Sequence, residues 1–227
     1  YGTKIFAPFN GHLFSLNNIH IIEPFYTSNL LIGVLILSLK KSIPSFKRQR
    51  VIKLTLAFST LYLGWTFVSK GIANHKFLAE IQAQNIQYEK MMISPTPLNS
   101  LLWSGIIKTK EGYYFGSYSL LDSRKNIELH FVESKNELLP KIKAFKKGRQ
   151  YLEFTQDFPL IKVENNTTNI YAIKFGPINY FGEPEFVYPL SLNLNEINDE
   201  NFKIDHSSTN KGPIINYEKL FKRIKGI

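Results

Sequence analysis

The chain contains no cysteine. Disulfides and thiolate metal sites are therefore excluded, and any metal has to be held by His, Asp, Glu or water; the same absence does not choose a compartment. No P-loop, dinucleotide fingerprint, HExxH pair or nucleophile elbow is present. Internal repeats and low-complexity tracts are also missing. The first residue is Tyr1, with neither an initiator Met nor the basic, apolar and small-residue regions of a signal peptide. The opening reads as the middle of an element, so the expectation is a fragment of a longer protein. Acidic residues are outnumbered: 28 Lys and Arg against 18 Asp and Glu give a formal charge of +10. In a soluble protein such a balance points to nucleic acid. Here part of it lies beside apolar runs, which directs it to anionic lipid and argues against a nucleic-acid partner.

Those runs organise the chain. Phe25 to Leu39 (FYTSNLLIGVLILSL) carries no charge, and Val51 to Val68 (VIKLTLAFSTLYLGWTFV) is interrupted only by Lys53. With the residues leading into the first run, each is roughly long enough to cross a bilayer, giving expected spans at 21–39 and 51–69. Between them KKSIPSFKRQR clusters Lys40, Lys41, Lys47, Arg48 and Arg50 with no acid, the mark of a loop kept in the cytoplasm. Gly33 and Gly64 suit close helix packing, and Tyr62 and Trp65 suit an interfacial belt. Segments of this length also serve as buried helices of soluble proteins, and that alternative stays open.

Before the first run, residues 1–22 are rich in turn formers and hold His12 and His20, eight apart, which is not the spacing that sets two ligands on one helical face. Both suit loop or interfacial positions; imidazole's frequency as a ligand makes His12 a candidate metal contact. Glu23 stands at the mouth of an apolar span, where a carboxylate is costly unless paired, hydrogen-bonded or in contact with water or metal. It is the candidate catalytic and metal-contacting residue.

After Val68 the apolar positions Ile72, Ala73, Phe77, Leu78, Ile81, Ile86 and Tyr88 recur at helical spacing, predicting an amphipathic helix over 72–92. Two prolines in SPTPLN stop it. Then LLWSGIIKT, YYFGSYSLL and NIELHFV read as a β-meander with a turn at Lys110-Glu111-Gly112; ELLPKIKAFKKG reads as a short helix; YLEFT, PLIKVEN, NIYAIKFG and a stretch near 184–192 read as further strands. Asp122 and Arg124 suit a turn. A polar stretch and a basic helix, YEKLFKRIKGI, close the chain, the helix reading as a solvated terminus. The expected class is an α+β membrane protein: a transmembrane helical hairpin and amphipathic helix over 1–93, a small antiparallel β-rich domain over 94–192, and a polar and helical tail over 193–227.

Several motifs in order resemble a known family. YGTKIFAPF, then IIEPFYT, then STLYLGW, PTPLNSLLW and GYYFGSYSLLD are similar to bacterial membrane-bound metal-dependent hydrolases, also described as LexA-binding, inner-membrane-associated hydrolases, through about Gly148. The resemblance implies an upstream region with apolar helices, a His-Arg-Gly-x-Thr-His type motif and an Asp just before Tyr1 as the main ligands of a divalent metal, Zn among the possibilities. Glu23 stands where the family pattern has Asp, which keeps the carboxylate and moves it one methylene further out. The implied reaction is attack of metal-activated water on an ester or phosphoester of unknown small-molecule or lipid substrate. The implied location is the bacterial inner membrane, multi-pass. The charge rule puts the β-rich domain outside the cytoplasm, whereas a LexA-binding role wants it inside. Taken without the resemblance, the same residues suit a non-catalytic, membrane-anchored module whose β domain binds a protein partner.

Overall fold

A computed structural model describes residues 2–3, 5–9, 14–40, 44–123, 126–164, 167–177, 184, 186, 190–193, 203–204 and 216–226. The class is α+β, with five α-helices among the described residues and antiparallel β-structure. The chain divides into two compact units, residues 1–75 with 93–103, and residues 76–92 with 104–227.

The first unit is built on two helices, α1 (Pro24–Leu39) and most of α2 (Ser45–Ala83). Pro24 opens α1, where its fixed φ suits the first turn and its missing N–H costs nothing. The two helices run antiparallel. Glu23 lies opposite Tyr62, Asn29 opposite Thr55 and Ser59, and Gly33 against Thr55. Gly33 makes that approach possible, since a Cβ there would lie 2.6 Å from Thr55 Oγ1. Gly64, the other glycine expected to pack helices, meets nothing within 4 Å and takes no part.

Among the described residues only α2 is long and apolar enough to cross a membrane. At 16 residues α1 extends about 24 Å, short of a hydrocarbon core of about 30 Å. The apolar side chains point outward: Leu31, Val34, Phe58, Leu61 and Val68 are all exposed. Only 11% of the most apolar window of α2 is buried, whereas a core helix of a soluble protein is mostly covered.

The helix after Val68 is a continuation of α2, as its pattern requires, but it ends at Ala83 rather than running to 92. Asn85 takes a left-handed φ of 54°, which stops it. Glu89 N–H then donates to Lys108 C=O at 2.8 Å, and Lys90–Pro95 becomes strand β1. Sheet pairing wins over helical periodicity there.

The first sheet has the order β1-β2-β3-β4, with β2 (Leu102–Lys108), β3 (Gly112–Ser119) and β4 (His130–Glu133), the meander expected. Thr109 N–H donates to Gly112 C=O at 2.8 Å and closes the tight turn between β2 and β3. The strand expected over 126–132 starts only at His130, because Ile127 N–H is taken by Glu80 Oε2 at 2.9 Å instead of by a neighbouring strand.

The second sheet has the order β5-β6-β7-β8, from β5 (Pro159–Glu164), β6 (Thr167–Ala172), β7 (Leu190–Asn193) and β8 (Lys203–Ile204). Of the strand expected near 184–192, residues 185 and 187–189 lie outside the described residues. NIYAIKFG leaves the sheet after Ala172 in a short 3-10 turn.

YLEFT, expected as a strand, is helical. Residues 139–155 form α3 (Leu139–Ala144) and α4 (Lys146–Thr155), broken at an extended Phe145. Gly148 sits so close that a Cβ would lie 2.1 Å from Ile142 C=O, and Tyr151 and Leu152 pack with Ile142 against Ile161 and Ile170. The β-prone composition of YLEFT yields to this burial. A second core joins Ile106, Tyr113, Phe115, Phe158, Leu160 and Ile173.

The tail helix α5 (Tyr217–Ile224) is capped by Asn216, whose side chain accepts from Lys219 N–H at 3.0 Å. It is more than a solvated terminus. Leu220 is buried, and Arg223 reaches Asp122 through both guanidinium nitrogens (2.8 Å for Nη2 to Oδ2) and Ser117 C=O at 2.7 Å. Asp122 also accepts from Ser119 N–H at 2.8 Å, the turn expected of it; Arg124 lies outside the described residues.

Candidate functional site

Within the first unit one stripe of polar side chains turns inward. Along α2, Thr55, Ser59, Tyr62, Thr66 and Ser69 follow each other at steps of four and three, which places them on one helical face. Ser59, Thr66 and Ser69 are buried. Asn18 Nδ2 donates to Thr66 Oγ1 at 3.0 Å, Asn29 Nδ2 to Ser59 Oγ at 2.9 Å, and Lys70 Nζ to Leu16 C=O.

Glu23 is at the centre of this arrangement. It precedes α1 with an extended backbone and is only 2% exposed. The Tyr62 hydroxyl donates to its Oε1 at 2.6 Å and lies 3.0 Å from Ser100 Oγ. Because Tyr62 has one hydroxyl proton, spent on the carboxylate, Ser100 is the donor in the second contact. The Phe25 ring stacks on Tyr62, with centroids 6.2 Å apart and planes at 28°. Glu23 Oε2 is buried with no hydrogen-bond partner among the described residues. An orphaned carboxylate oxygen in a buried place is a costly arrangement that a donor or a cation relieves.

Ser100 owes its position to the loop SPTPLN. Leu98 takes a φ of 67°, and Asn99 Oδ1 accepts from Leu101 N–H at 3.0 Å and Leu102 N–H at 2.7 Å. Asn99 Nδ2 donates to Thr96 Oγ1 at 2.9 Å, and Trp103 Nε1 to Ser100 C=O at 3.1 Å. Leu98 N–H reaches Ile22 C=O at 3.3 Å, tying this loop to the residues that lead into α1.

Of the two sequence candidates, Glu23 is the one the structure surrounds with partners; His12 lies outside the described residues. His20 is half-buried, and its Nδ1 accepts from Ile22 N–H at 3.3 Å, while burial lowers its affinity for a proton. Among the described residues no group of three or more His, Cys, Asp or Glu comes together. A lone carboxylate oxygen is chemically suited to be one hard ligand of a divalent cation, and the described residues by themselves do not make a metal centre.

Tyr62 and Ser100 are the partners that sequence reasoning passed over. Tyr62 reads as a membrane-belt aromatic when taken alone. The regular stripe of hydroxyls on an otherwise apolar helix was the signal that it turns inward. Ser100 has no comparable signature, since its place depends on the Asn99 turn. Comparison of the chain with family models, with characterised proteins and with solved structures gives no match.

Proposed function

We propose that this chain acts as the C-terminal part of a membrane-bound, metal-dependent hydrolase of the bacterial inner membrane, and that Glu23 is the carboxylate it contributes to the reaction centre. The observation that carries the reading is Glu23 itself, held at Oε1 by Tyr62, buried, and with no well-formed hydrogen bond to Oε2 among the described residues. The ordered motifs around YGT and IIEPFYT support the same class. The outward apolar faces of α1 and α2 support a bilayer as their solvent, with the short α1 accommodated by local thinning or by the flanking residues.

In this role Glu23 binds metal through Oε2, and Tyr62 with Ser100 fixes the carboxylate's orientation and takes up charge on Oε1. The remaining ligands come from outside the described residues, His12 among them. A divalent metal, when bound, supplies the Lewis-acid charge that turns water into a nucleophile near neutral pH, suited to an ester or phosphoester. The test is metal analysis of the full-length protein. Glu23→Gln is expected to lose stoichiometric metal, and Tyr62→Phe to weaken metal affinity about 10- to 100-fold while the protein stays folded. A full-length protein that purifies without divalent metal, or Glu23→Gln with unchanged metal content, overturns the reading.

One observation favours a second reading, a membrane-anchored binding module. A cleft of about 580 Å³ in the second unit is lined by β4 and β5, with His130, Phe131, Glu133, Lys162 and Val163 on its walls. On this reading an intact-protein pull-down recovers a specific envelope protein, and Phe131→Ala releases it.

A further inference from the structure

The outward side of α2 carries a second pattern, opposite to the stripe that meets α1. At about 100° per residue, the contacts to α1 and to Asn18 through Thr55, Ser59, Tyr62 and Thr66 define one side of the helix. Phe46, Arg50, Lys53, Ala57, Leu61, Gly64 and Val68 fall on the other side, at steps of four and three, and every one of them is exposed. Gly64 meeting nothing within 4 Å belongs to the same observation. The first two turns of this face are cationic and the rest is apolar. From Arg50 to Val68 it runs about 27 Å, close to the thickness of a hydrocarbon core.

At the cationic end Phe46, Gln49, Arg50, Lys53 and Leu54 line a shallow groove of about 300 Å³. Arg50 and Lys53 have no ion-pair partner among the described residues, and Lys47 and Arg48 are exposed beside them. The sequence gives these cations no counter-charge nearby, since no Asp or Glu occurs from Pro24 to Ala79. Their guanidinium and ammonium groups face away from α1, so that helix does not neutralise them.

We propose that this groove is a binding site for the headgroup of an anionic phospholipid. Arg50 offers a planar fork to the phosphate and Lys53 a second cation one turn further on, while Phe46 and Leu54 flank the site for the glycerol and first acyl carbons. The site rests on the membrane reading of α2 given above and adds to it the class of lipid that α2 selects.

The experiment reconstitutes the chain into vesicles of phosphatidylcholine with and without phosphatidylglycerol, and reads membrane insertion by resistance to carbonate extraction. Retained lipid is then counted by native mass spectrometry. The wild-type chain inserts into both and retains phosphatidylglycerol preferentially. Arg50→Gln and Lys53→Gln keep insertion but lower that preference about fivefold for each charge removed, whereas Lys219→Gln on α5 leaves it unchanged. Added inorganic phosphate does not displace the lipid. Insertion without any change of preference in the Arg50→Gln/Lys53→Gln double variant overturns the headgroup site and leaves the membrane reading standing. Displacement by inorganic phosphate alone overturns the lipid as the ligand. Extraction of the wild-type chain by carbonate overturns the membrane reading and the site together.

Discussion

The second unit buries Tyr113, Phe115, Leu160, Ile161 and Ile170 and no lysine or glutamate among its described residues, whereas the first unit buries Asn18, Glu23, Ser59, Thr66 and Ser69 and exposes Leu31, Phe58, Leu61 and Phe67. The first arrangement is what water enforces, since removing apolar surface from it is favourable at about 25 cal/mol per Å². The second is favoured by an apolar solvent, where polar side chains gain by bonding one another and apolar side chains lose nothing by facing out. The contrast is the main physical support for treating the two units as parts built for two solvents. It also places the candidate site, because the one buried carboxylate of the helical unit sits where its hydroxyl network is densest.

The largest expected effect tests the inward core. Tyr113 is fully buried and its hydroxyl donates to Pro159 C=O at 2.8 Å. Tyr113→Ala is expected to destabilise the β-rich unit by about 3–5 kcal/mol in urea unfolding followed by near-ultraviolet circular dichroism. Leu61→Ala, at a site 74% exposed, is expected to change the same transition by less than about 0.5 kcal/mol. Equal effects from both substitutions would erase the contrast between the units.

A sharper probe is Leu61→Arg. If the outward face of α2 meets lipid, placing Arg there costs about 3 kcal/mol of apparent insertion free energy, read from the inserted fraction in a microsomal glycosylation assay. If that face meets water, the change is nearly silent.

The smallest effect concerns the water-facing surface. The hydrogen bond from Lys90 to Asp157, 2.5 Å, holds the Asp157 carboxyl below its usual range. A lowered folded-state pKa adds stability above the ordinary carboxylate pKa, and that stability is lost as pH falls through the folded value. Both side chains are more than half exposed, so Lys90→Gln is expected to cost only a few tenths of a kcal/mol at neutral pH. The difference from wild type should begin to shrink below about pH 4 and be lost as the pH falls on through the lowered folded-state value, in paired urea titrations. A difference that grew on acidification would contradict the pair's role.

Much of the fold was legible because it depends on local pattern. The two apolar runs follow from unbroken stretches of apolar residues, the turn before Gly112 from its turn residues, and β5 and β6 from short β-prone stretches between turns. The failures share a cause. YLEFT became helix because Gly148 and Ile142 let α3 and α4 pack tightly, and α2 stopped at Ala83 because Lys90–Pro95 found a strand partner. Neither contact is visible within a short window of sequence. Arg223 and Asp122 lie 101 residues apart, so their clasp had no local sign either.

For the candidate site the division is the same. The sequence alone determined that a carboxylate at position 23 opens an apolar helix, and that hydroxyls at 55, 59, 62, 66 and 69 form one stripe, because helical periodicity converts spacing into a face. Only the tertiary structure decided that the stripe meets Glu23, that Tyr62 takes one carboxylate oxygen and leaves the other unpartnered, and that a turn built by Asn99 delivers Ser100 to the same hydroxyl. Those contacts depend on antiparallel packing and on a loop 38 residues away in the chain, and long-range packing is set by the sum of many weak contacts rather than by any local pattern.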